Sequence, residues 1–277
     1  MSTEVIIFYI LFYFLIFMMG ACIGSFYNVI TMRVPIHESF VKGRSHCPKC
    51  QHELKAWDLV PFFSWIFLHG KCRYCKEKIS FRYPLMELVG GLTAIFSVWY
   101  CGYTIEALLL FYIISVLITL SVIDQTTMEI PNQFHVAIFI AAVVSIWFGI
   151  PIVGLEWKAR LIGFFCISLP MYLLAVLTGG FGGGDIKLMA VAGLLLGWKA
   201  TICAFFVGIF SAAFYCIYIL LYAIIVIVKK EAPSFKEGMN AAMKMPFAFG
   251  PYLSVGIVVS YLWSDAIISF YLGTFMR

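Results

Sequence analysis

Long apolar runs separated by short polar stretches make up most of the chain. The first run extends from Val5 to about Ile30, and the others begin only after Pro84. The pattern predicts eight helices, over residues 5–30, 85–102, 105–123, 132–150, 159–178, 186–198, 201–228 and 250–274. A membrane-spanning helix needs about 20 apolar residues, so the segment 186–198 is short. We expect neighbouring helices to shield it from lipid, or the bilayer to be thin there.

The composition agrees with a membrane protein. Of 277 residues, 63% are hydrophobic and 12% are charged. No soluble domain can bury that much apolar surface, so we predict an all-α polytopic membrane protein with about eight transmembrane helices. The net charge of +5 lies mostly in a few loops. It indicates membrane topology rather than a nucleic-acid partner.

A polar insert interrupts the apolar pattern between Arg33 and Arg82. It holds ten Lys and Arg residues and four acids. It also contains two CxxC pairs, separated by 21 residues: Cys47 with Cys50 and Cys72 with Cys75. This spacing predicts a tetrahedral four-cysteine zinc site, whose metal would stabilise a small domain. Two disulfides are the alternative, and the insert's positive charge argues against them because it indicates the reducing cytoplasm.

The distribution of Lys and Arg predicts the orientation of the helices. With eight spans and a cytoplasmic insert, the cytoplasmic segments are 33–84, 124–131, 179–187 and 229–249. They hold 15 Lys and Arg residues, against 4 in the outer segments. This bias follows the positive-inside rule. The same count of spans places Asp124 and Asp185 at one face, the cytoplasmic one.

These two acids are the candidates for chemistry. Asp185 follows a stretch, 179–184, in which five of six residues are glycine, and Asp124 directly follows the apolar run 105–123. An acid at membrane depth is costly and is a functional hypothesis by default. Two carboxylates close together share a proton, and such a pair can hydrolyse a peptide bond. A proton or ion relay in a transporter is the alternative.

Other residues near the acids allow several interpretations. The glycines, among them Gly182 and Gly184, predict either a hinge or close approach of an extended substrate backbone. Lys187 could pair with one of the acids, or extend to the interface. Glu87, early in the second helix, could cap it, pair with a nearby arginine, or bind a ligand.

Six motifs occur in a fixed order along the chain. They are Gly24-Ser25-Phe26-Tyr27-Asn28-Val29 with Arg33-Val34-Pro35; the two cysteine pairs; Arg82-Tyr83-Pro84-Leu85-Met86-Glu87-Leu88; Asp124 with Ile130-Pro131-Asn132; Gly182-Gly183-Gly184-Asp185-Ile186-Lys187; and Met245-Pro246-Phe247-Ala248-Phe249-Gly250-Pro251. Together they resemble the type IV prepilin peptidases, also called leader peptidase/N-methyltransferases. The fifth is similar to the GxGD motif of intramembrane aspartic proteases such as presenilin. The last is longer than the Pro-Phe-Gly-Pro of many members.

The resemblance implies a specific activity. Such an enzyme cuts the basic leader from type IV prepilins, or from the pseudopilins of type II secretion, after a glycine and on the cytoplasmic side of the bacterial inner membrane. It then methylates the new N-terminal amine with S-adenosylmethionine. Asp124 and Asp185 would be catalytic, with Gly182, Gly184 and Lys187 in support. The methyl-donor site stays unknown, with Glu38 and Glu87 as candidates at the borders of the insert.

The expected organisation has three parts. Residues 1–32 form the first transmembrane helix, 33–84 the cytoplasmic zinc-binding insert with a possible methyltransferase role, and 85–277 the membrane aspartic peptidase domain. The expected partners are prepilins or pseudopilins and membrane lipid. Two alternatives stay open: a leader peptidase without methyltransferase activity, and a proton- or metal-coupled transporter. A transporter is expected to show internal repeats, and we find none in the sequence.

Overall fold

The computed structural model describes residues 2–150, 156–229 and 247–275. Within these ranges it is almost wholly helical, with two isolated β-bridges and no strand. The helices are α1 (Thr3–Arg33), α2 (Phe63–Phe67), α3 (Arg82–Cys101), α4 (Ile105–Thr127), α5 (Asn132–Trp147), α6 (Trp157–Cys166), α7 (Ser168–Thr178), α8 (Gly183–Leu196), α9 (Trp198–Lys229) and α10 (Gly250–Phe275). Met245, Pro246, Arg277 and most of the predicted segment 229–249 lie outside the described residues.

The predicted all-α membrane fold is confirmed. Among the residues that the structure describes, six helical stretches are long and apolar enough to cross a bilayer, namely residues 3–36, 82–101, 105–127, 157–178, 198–221 and 250–274. Helix α5 is apolar but has 16 residues, and α8 has only 14. The chain is therefore a multi-pass membrane protein in which these two helices are shorter than a typical span.

One predicted helix is broken. The sequence pattern predicted a single helix over 159–178, whereas the structure has α6 and α7 with a break at Ile167. Pro170 has no N–H to donate to the carbonyl of Cys166, and its ring crowds that carbonyl. The interruption therefore has a local cause in the sequence.

The chain folds into two compact units, residues 1–119 and 120–277. In the first, α1 and α3 pack with their backbones in contact. A Cβ added to Gly20 would lie 2.6 Å from the Cβ of Ala94, and one added to Gly24 would lie 2.9 Å from the Cα of Glu87. Glycines one turn apart permit this close approach between membrane helices.

In the second unit, helix α8 is enclosed by its neighbours, as its short length led us to expect. Leu188, Met189 and Leu195 have no exposed surface. At its far end, α8 is fixed against α6. A Cβ added to Gly163 of α6 would lie 2.8 Å from the carbonyl carbon of Gly197.

A buried arginine completes this end of α8. Arg160 is 5% exposed and donates hydrogen bonds to the carbonyl oxygens of Leu194 and Leu195, at 3.3 and 3.2 Å. The last carbonyls of a helix have no partner within the helix, and a cation there is favourable. Arg160 therefore caps α8 from the neighbouring helix.

Candidate active site

Asp124 lies near the C-terminal end of α4 and is 5% exposed. Its Oδ2 accepts a hydrogen bond of 2.9 Å from the backbone N–H of Gly250, at the start of α10. A Cβ on residue 250 would lie 2.6 Å from that oxygen. Glycine is therefore required here by the close approach of the carboxylate, which the sequence motif alone did not show.

Asp185 lies in the first turn of α8, after its N-cap Gly182. A Cβ on Gly182 would lie 3.1 Å from Oδ2 of Asp185. The other oxygen, Oδ1, is buried and has no hydrogen-bond partner among the described residues. A buried carboxylate oxygen without a partner is costly when ionised, so this oxygen is suited to carry a proton.

The glycines before Asp185 have different structural roles. Gly179 has a φ of 68°, a left-handed conformation that ends α7 and that glycine adopts without strain. A Cβ on Gly184 would lie 3.0 Å from the Cβ of Ile130, whereas Gly183 faces open space within 4 Å. Turn formation explains the first position and close packing explains Gly184.

Ile130 connects the surroundings of the two acids. It packs on Gly184, next to Asp185, and its Cδ1 would lie 3.2 Å from a Cβ on Gly250, which binds Asp124. The negative charge of Asp124 acts electrostatically on Asp185. Burial of Asp185 also disfavours its ionisation, and neighbouring carboxylates in a poorly solvated site titrate as a pair.

The N-terminal turns of α5 and α8 are linked by two hydrogen bonds. Lys187 Nζ donates to Oδ1 of Asn132 at 3.0 Å, and it makes no ion pair with either acid among the described contacts. His135 Nε2 lies 2.9 Å from the carbonyl oxygen of Gly184. Sequence reasoning missed His135. The available signal in the sequence was a histidine three residues after Asn132, near the start of a largely apolar helix.

Aromatic rings adjoin the acid-bearing segments. The ring centroid of Phe181, in the glycine-rich loop, lies 6.1 Å from that of Phe249, the residue before Gly250. Phe249 lies 6.4 Å from Phe247, which stacks on Tyr252 at 5.2 Å with an interplanar angle of 6°. These rings form an apolar cluster on the two segments that adjoin Asp185 and Gly250 in the chain.

The four insert cysteines, in the first unit, come together as predicted. Their Sγ atoms all lie within 4.8 Å of one another, and those of Cys47 and Cys75 are 3.8 Å apart. Zinc–sulfur bonds of about 2.3 Å in a tetrahedron place sulfurs about 3.8 Å apart. All four are free thiols, so the disulfide alternative does not describe this arrangement. The geometry fits zinc.

The two CxxC turns have the same backbone pattern. In each, the N–H of the residue after the second cysteine, Gln51 or Lys76, donates to the carbonyl of the first cysteine, at 2.9 and 3.0 Å. Both residues have positive φ, 57° and 61°. These tight turns direct each pair of thiols to one point.

Hydrogen bonds tune the acidity of these thiols. Those from the Cys50 backbone are the main reason that the pKa of Cys47 is lowered to about 7. A hydrogen bond from the Glu77 backbone is the largest single effect on Cys75 and lowers its pKa, but burial and hydrogen bonds with the other three sulfurs together raise that pKa to about 11. A thiolate at neutral pH is the form that binds zinc.

The two candidate ligands for a methyl donor differ in environment. Glu38 is exposed. Glu87 is 9% exposed, and its Oε2 accepts a 2.7 Å hydrogen bond from the backbone N–H of Phe62. Phe62 has a φ of 63° and a ψ of −50°, and Phe63 N–H donates to the Pro61 carbonyl across it. This is a strained γ-turn, which Glu87 holds in place.

Asp58 of the insert was also missed by sequence reasoning. Burial alone would raise its pKa, but hydrogen bonds from Arg73 (2.6 Å), the Lys55 N–H (3.2 Å) and Tyr74 (3.2 Å) together hold its pKa below the usual value. Arg73 and Tyr74 lie between Cys72 and Cys75. Asp58 therefore braces the second CxxC turn.

Comparison with known proteins identifies the family. The model of the bacterial peptidase A24 N-terminal domain matches residues 18–101, and that of the type IV leader peptidase family matches residues 111–217. The class is that of membrane-embedded leader peptidases. The chain belongs to the type IV leader peptidase family, which confirms the resemblance.

The relatives align along almost the whole chain. The prepilin leader peptidase/N-methyltransferase of Bacillus subtilis (strain 168) is 34% identical over 259 residues, covering 93% of this chain and 97% of that protein. The protein of the same name from Aeromonas hydrophila is 30% identical over 299 residues, covering 96% of each. No solved structure shows a significant match.

Proposed function

We propose that this chain is a membrane aspartic peptidase that removes the leader from prepilins, or from type II secretion pseudopilins, and then methylates the new N-terminus. The names and nearly full coverage of its relatives support both activities. The observation that carries the peptidase assignment is the pair of poorly solvated carboxylates, Asp124 and Asp185, at the meeting point of α4, α8 and α10.

In the proposed hydrolysis the two acids share one proton. Asp124 is the ionised member, because the hydrogen bond from the Gly250 N–H favours a negative charge. It removes a proton from water as the water oxygen attacks the scissile carbonyl carbon. Asp185, with its unpartnered Oδ1, donates its proton toward the carbonyl oxygen. When the C–N bond breaks, the leaving amine takes the proton from Asp124, and a hydroxyl of the tetrahedral intermediate returns a proton to Asp185 as the product carboxyl group forms.

Zinc in the four-cysteine site would be structural. Four thiolates fill a tetrahedral shell and leave no position for a substrate. Cys47, Cys50, Cys72 and Cys75 would hold the ion, which supplies folding energy that a short insert lacks. The insert then offers a stable polar surface.

For methylation we propose S-adenosylmethionine as the donor. When bound, the donor would supply a methyl group for transfer to the N-terminal amine, and the neutral thioether would leave as the carbon–sulfur bond breaks. The donor is polar, so its pocket is expected in the polar part of the first unit. Glu87 is engaged by the Phe62 N–H, so we assign it to hold the insert against α3 and leave Glu38 as the freer carboxylate for a ligand.

We propose that the chain resides in the bacterial inner membrane with its acids at the cytoplasmic side. The Lys and Arg bias of the predicted loops supports this orientation. The substrates then meet the acids from the cytoplasm, where a basic leader remains. Membrane lipid surrounds the helices, and no nucleic acid takes part.

Incubation of purified full-length protein with a prepilin, with and without labelled S-adenosylmethionine, tests the proposal. We expect leader removal in both samples and label on the mature pilin only with the donor. Cleavage without labelling would indicate a leader peptidase that lacks methyltransferase activity. Absence of cleavage by folded protein would contradict the peptidase assignment.

A further inference from the structure

His135 is a buried polar residue beside the acids to which the proposed chemistry gives no role. It lies in the first turn of α5 and is 6% exposed. Its Nε2 is 2.9 Å from the carbonyl oxygen of Gly184, the residue before Asp185. A carbonyl oxygen can only accept a hydrogen bond, so Nε2 carries the proton.

The other ring nitrogen has no such partner. Nδ1 of His135 is buried without a hydrogen bond among the described residues. The free-energy cost of burying an unpaired acceptor exceeds the stabilisation that one neutral hydrogen bond provides. A leucine of similar volume would avoid this cost, so folding alone gives no reason for a histidine at this position.

The histidine belongs to a matched pair of links between two helices. Asn132 and His135 are three residues apart on α5, and their partners Lys187 and Gly184 are three residues apart on α8. Residues at this spacing share one face of a helix. Asp185 lies within the segment that the two links enclose, so α5 fixes the backbone on both sides of it.

Only one of the two links acts directly on the backbone. The Lys187–Asn132 bond joins two side chains, and Lys187 has a long, flexible stem. The His135–Gly184 bond joins a ring with two torsions to the peptide group that leads into Asp185. The histidine link therefore constrains the position of the carboxylate more tightly.

We propose that His135 is a positioning residue for Asp185, acting through the hydrogen bond from Nε2 to the Gly184 carbonyl. This inference rests on the proposed peptidase function. It differs from an assignment of His135 as a proton donor or acceptor in catalysis, since Nε2 is engaged with the backbone and touches no reacting group.

The test compares two variants of the full-length protein in prepilin cleavage. His135→Leu removes the donor at similar volume, and His135→Gln keeps an N–H that reaches about as far as Nε2. We expect His135→Leu to lower kcat by about 10- to 100-fold with KM within about twofold, because misplacement of a catalytic group acts on the chemical step. His135→Gln is expected to recover most of kcat.

A matched control separates positioning from general stability. Ser260 of α10 donates a 2.6 Å hydrogen bond to the Ala200 carbonyl of α9, and it is fully buried. It lies ten residues beyond Gly250, about 15 Å along the helix. Ser260→Ala removes the same kind of buried link between helices, and we expect kcat to stay within about twofold of the unsubstituted protein.

Three results would overturn the inference. The first is a kcat for His135→Leu within twofold of that of the unsubstituted protein. The second is a His135→Gln variant that is folded but as slow as His135→Leu. The third is a loss of kcat in Ser260→Ala as large as that in His135→Leu. Failure of the proposed function gives a different result, because the unsubstituted protein itself would then not cleave prepilin.

Discussion

Replacement of Gly250 by alanine is expected to disable cleavage with little effect on the fold. The new Cβ would lie 2.6 Å from Oδ2 of Asp124, whereas ordinary contacts begin at 3.4 Å. The difference, about 0.8 Å, must be taken up by the carboxylate or by the start of α10. A Cβ on the residue before a proline clashes with the proline ring in the helical conformation. An alanine before Pro251 therefore cannot easily move its Cβ away from the carboxylate by a change of backbone conformation.

Two estimates of the magnitude agree. A shift of about 1 Å in a catalytic group costs about 100-fold in rate. Loss of the 2.9 Å hydrogen bond to the Asp124 carboxylate corresponds to about 1.5–3 kcal/mol, or about 10- to 150-fold. We therefore expect Gly250→Ala to lower kcat/KM for prepilin cleavage about 100-fold.

The assay follows leader removal from prepilin by purified protein, with methylation of pre-cleaved pilin as a second readout. Gly273→Ala, in the same helix, is the control because a Cβ there meets nothing within 4 Å. Cleavage by Gly250→Ala within threefold of Gly273→Ala would refute the reasoning. A parallel loss of methylation and of thermal stability would point to misfolding instead.

Three further predictions concern the acids and the insert. Asp124→Asn and Asp185→Asn should each abolish prepilin cleavage, and the double variant should be no slower than either single variant. All three variants should still methylate mature pilin. Near-normal cleavage by either single variant would rule out a catalytic pair of aspartates. Metal analysis should give about one zinc per chain, and Cys72→Ser should lose it; a metal-free protein with two disulfides would contradict the site. The pKa of Asp58 is lowered on folding, so its stabilisation is present above the unfolded value of about 4 and is lost as pH falls below it. Asp58→Asn should therefore lower the thermal stability of the insert at pH 7, and the difference in stability between the two proteins should narrow only as the pH falls below about 4. A difference that does not change with pH would show that the charge of Asp58 is irrelevant.

The sequence was sufficient for the features that depend on local patterns. Apolar runs predicted each long helix, and the spacing of two CxxC pairs predicted the cysteine cluster. Counting spans also predicted that Asp124 and Asp185 share one end of the bundle, and the structure places both near Ile130. The break at Ile167 was missed although Pro170 carried the signal.

Contacts between distant segments could not be predicted in the same way. The bond between His135 and Gly184 depends on the register of α5 against α8, and apolar periodicity does not determine that register. The N–H of Gly250 that reaches Asp124 joins residues 126 positions apart. A glycine next to a proline indicates a turn, but not the carboxylate that lies against it.

The contact between Gly163 and Gly193 adds positions far from the two aspartates at which a mutation is expected to inactivate the protein. Backbone lies against backbone there, and a Cβ on Gly193 would sit 3.0 Å from the N of Phe164. A side chain introduced at Gly163 or Gly193 would displace α8 as a rigid body. Asp185 lies eight residues before Gly193, about 12 Å along the same helix, so it would move with it. Inactivating alleles are therefore expected at the end of the bundle opposite to the acids. A map of tolerated substitutions drawn from distance to the carboxylates alone would miss them.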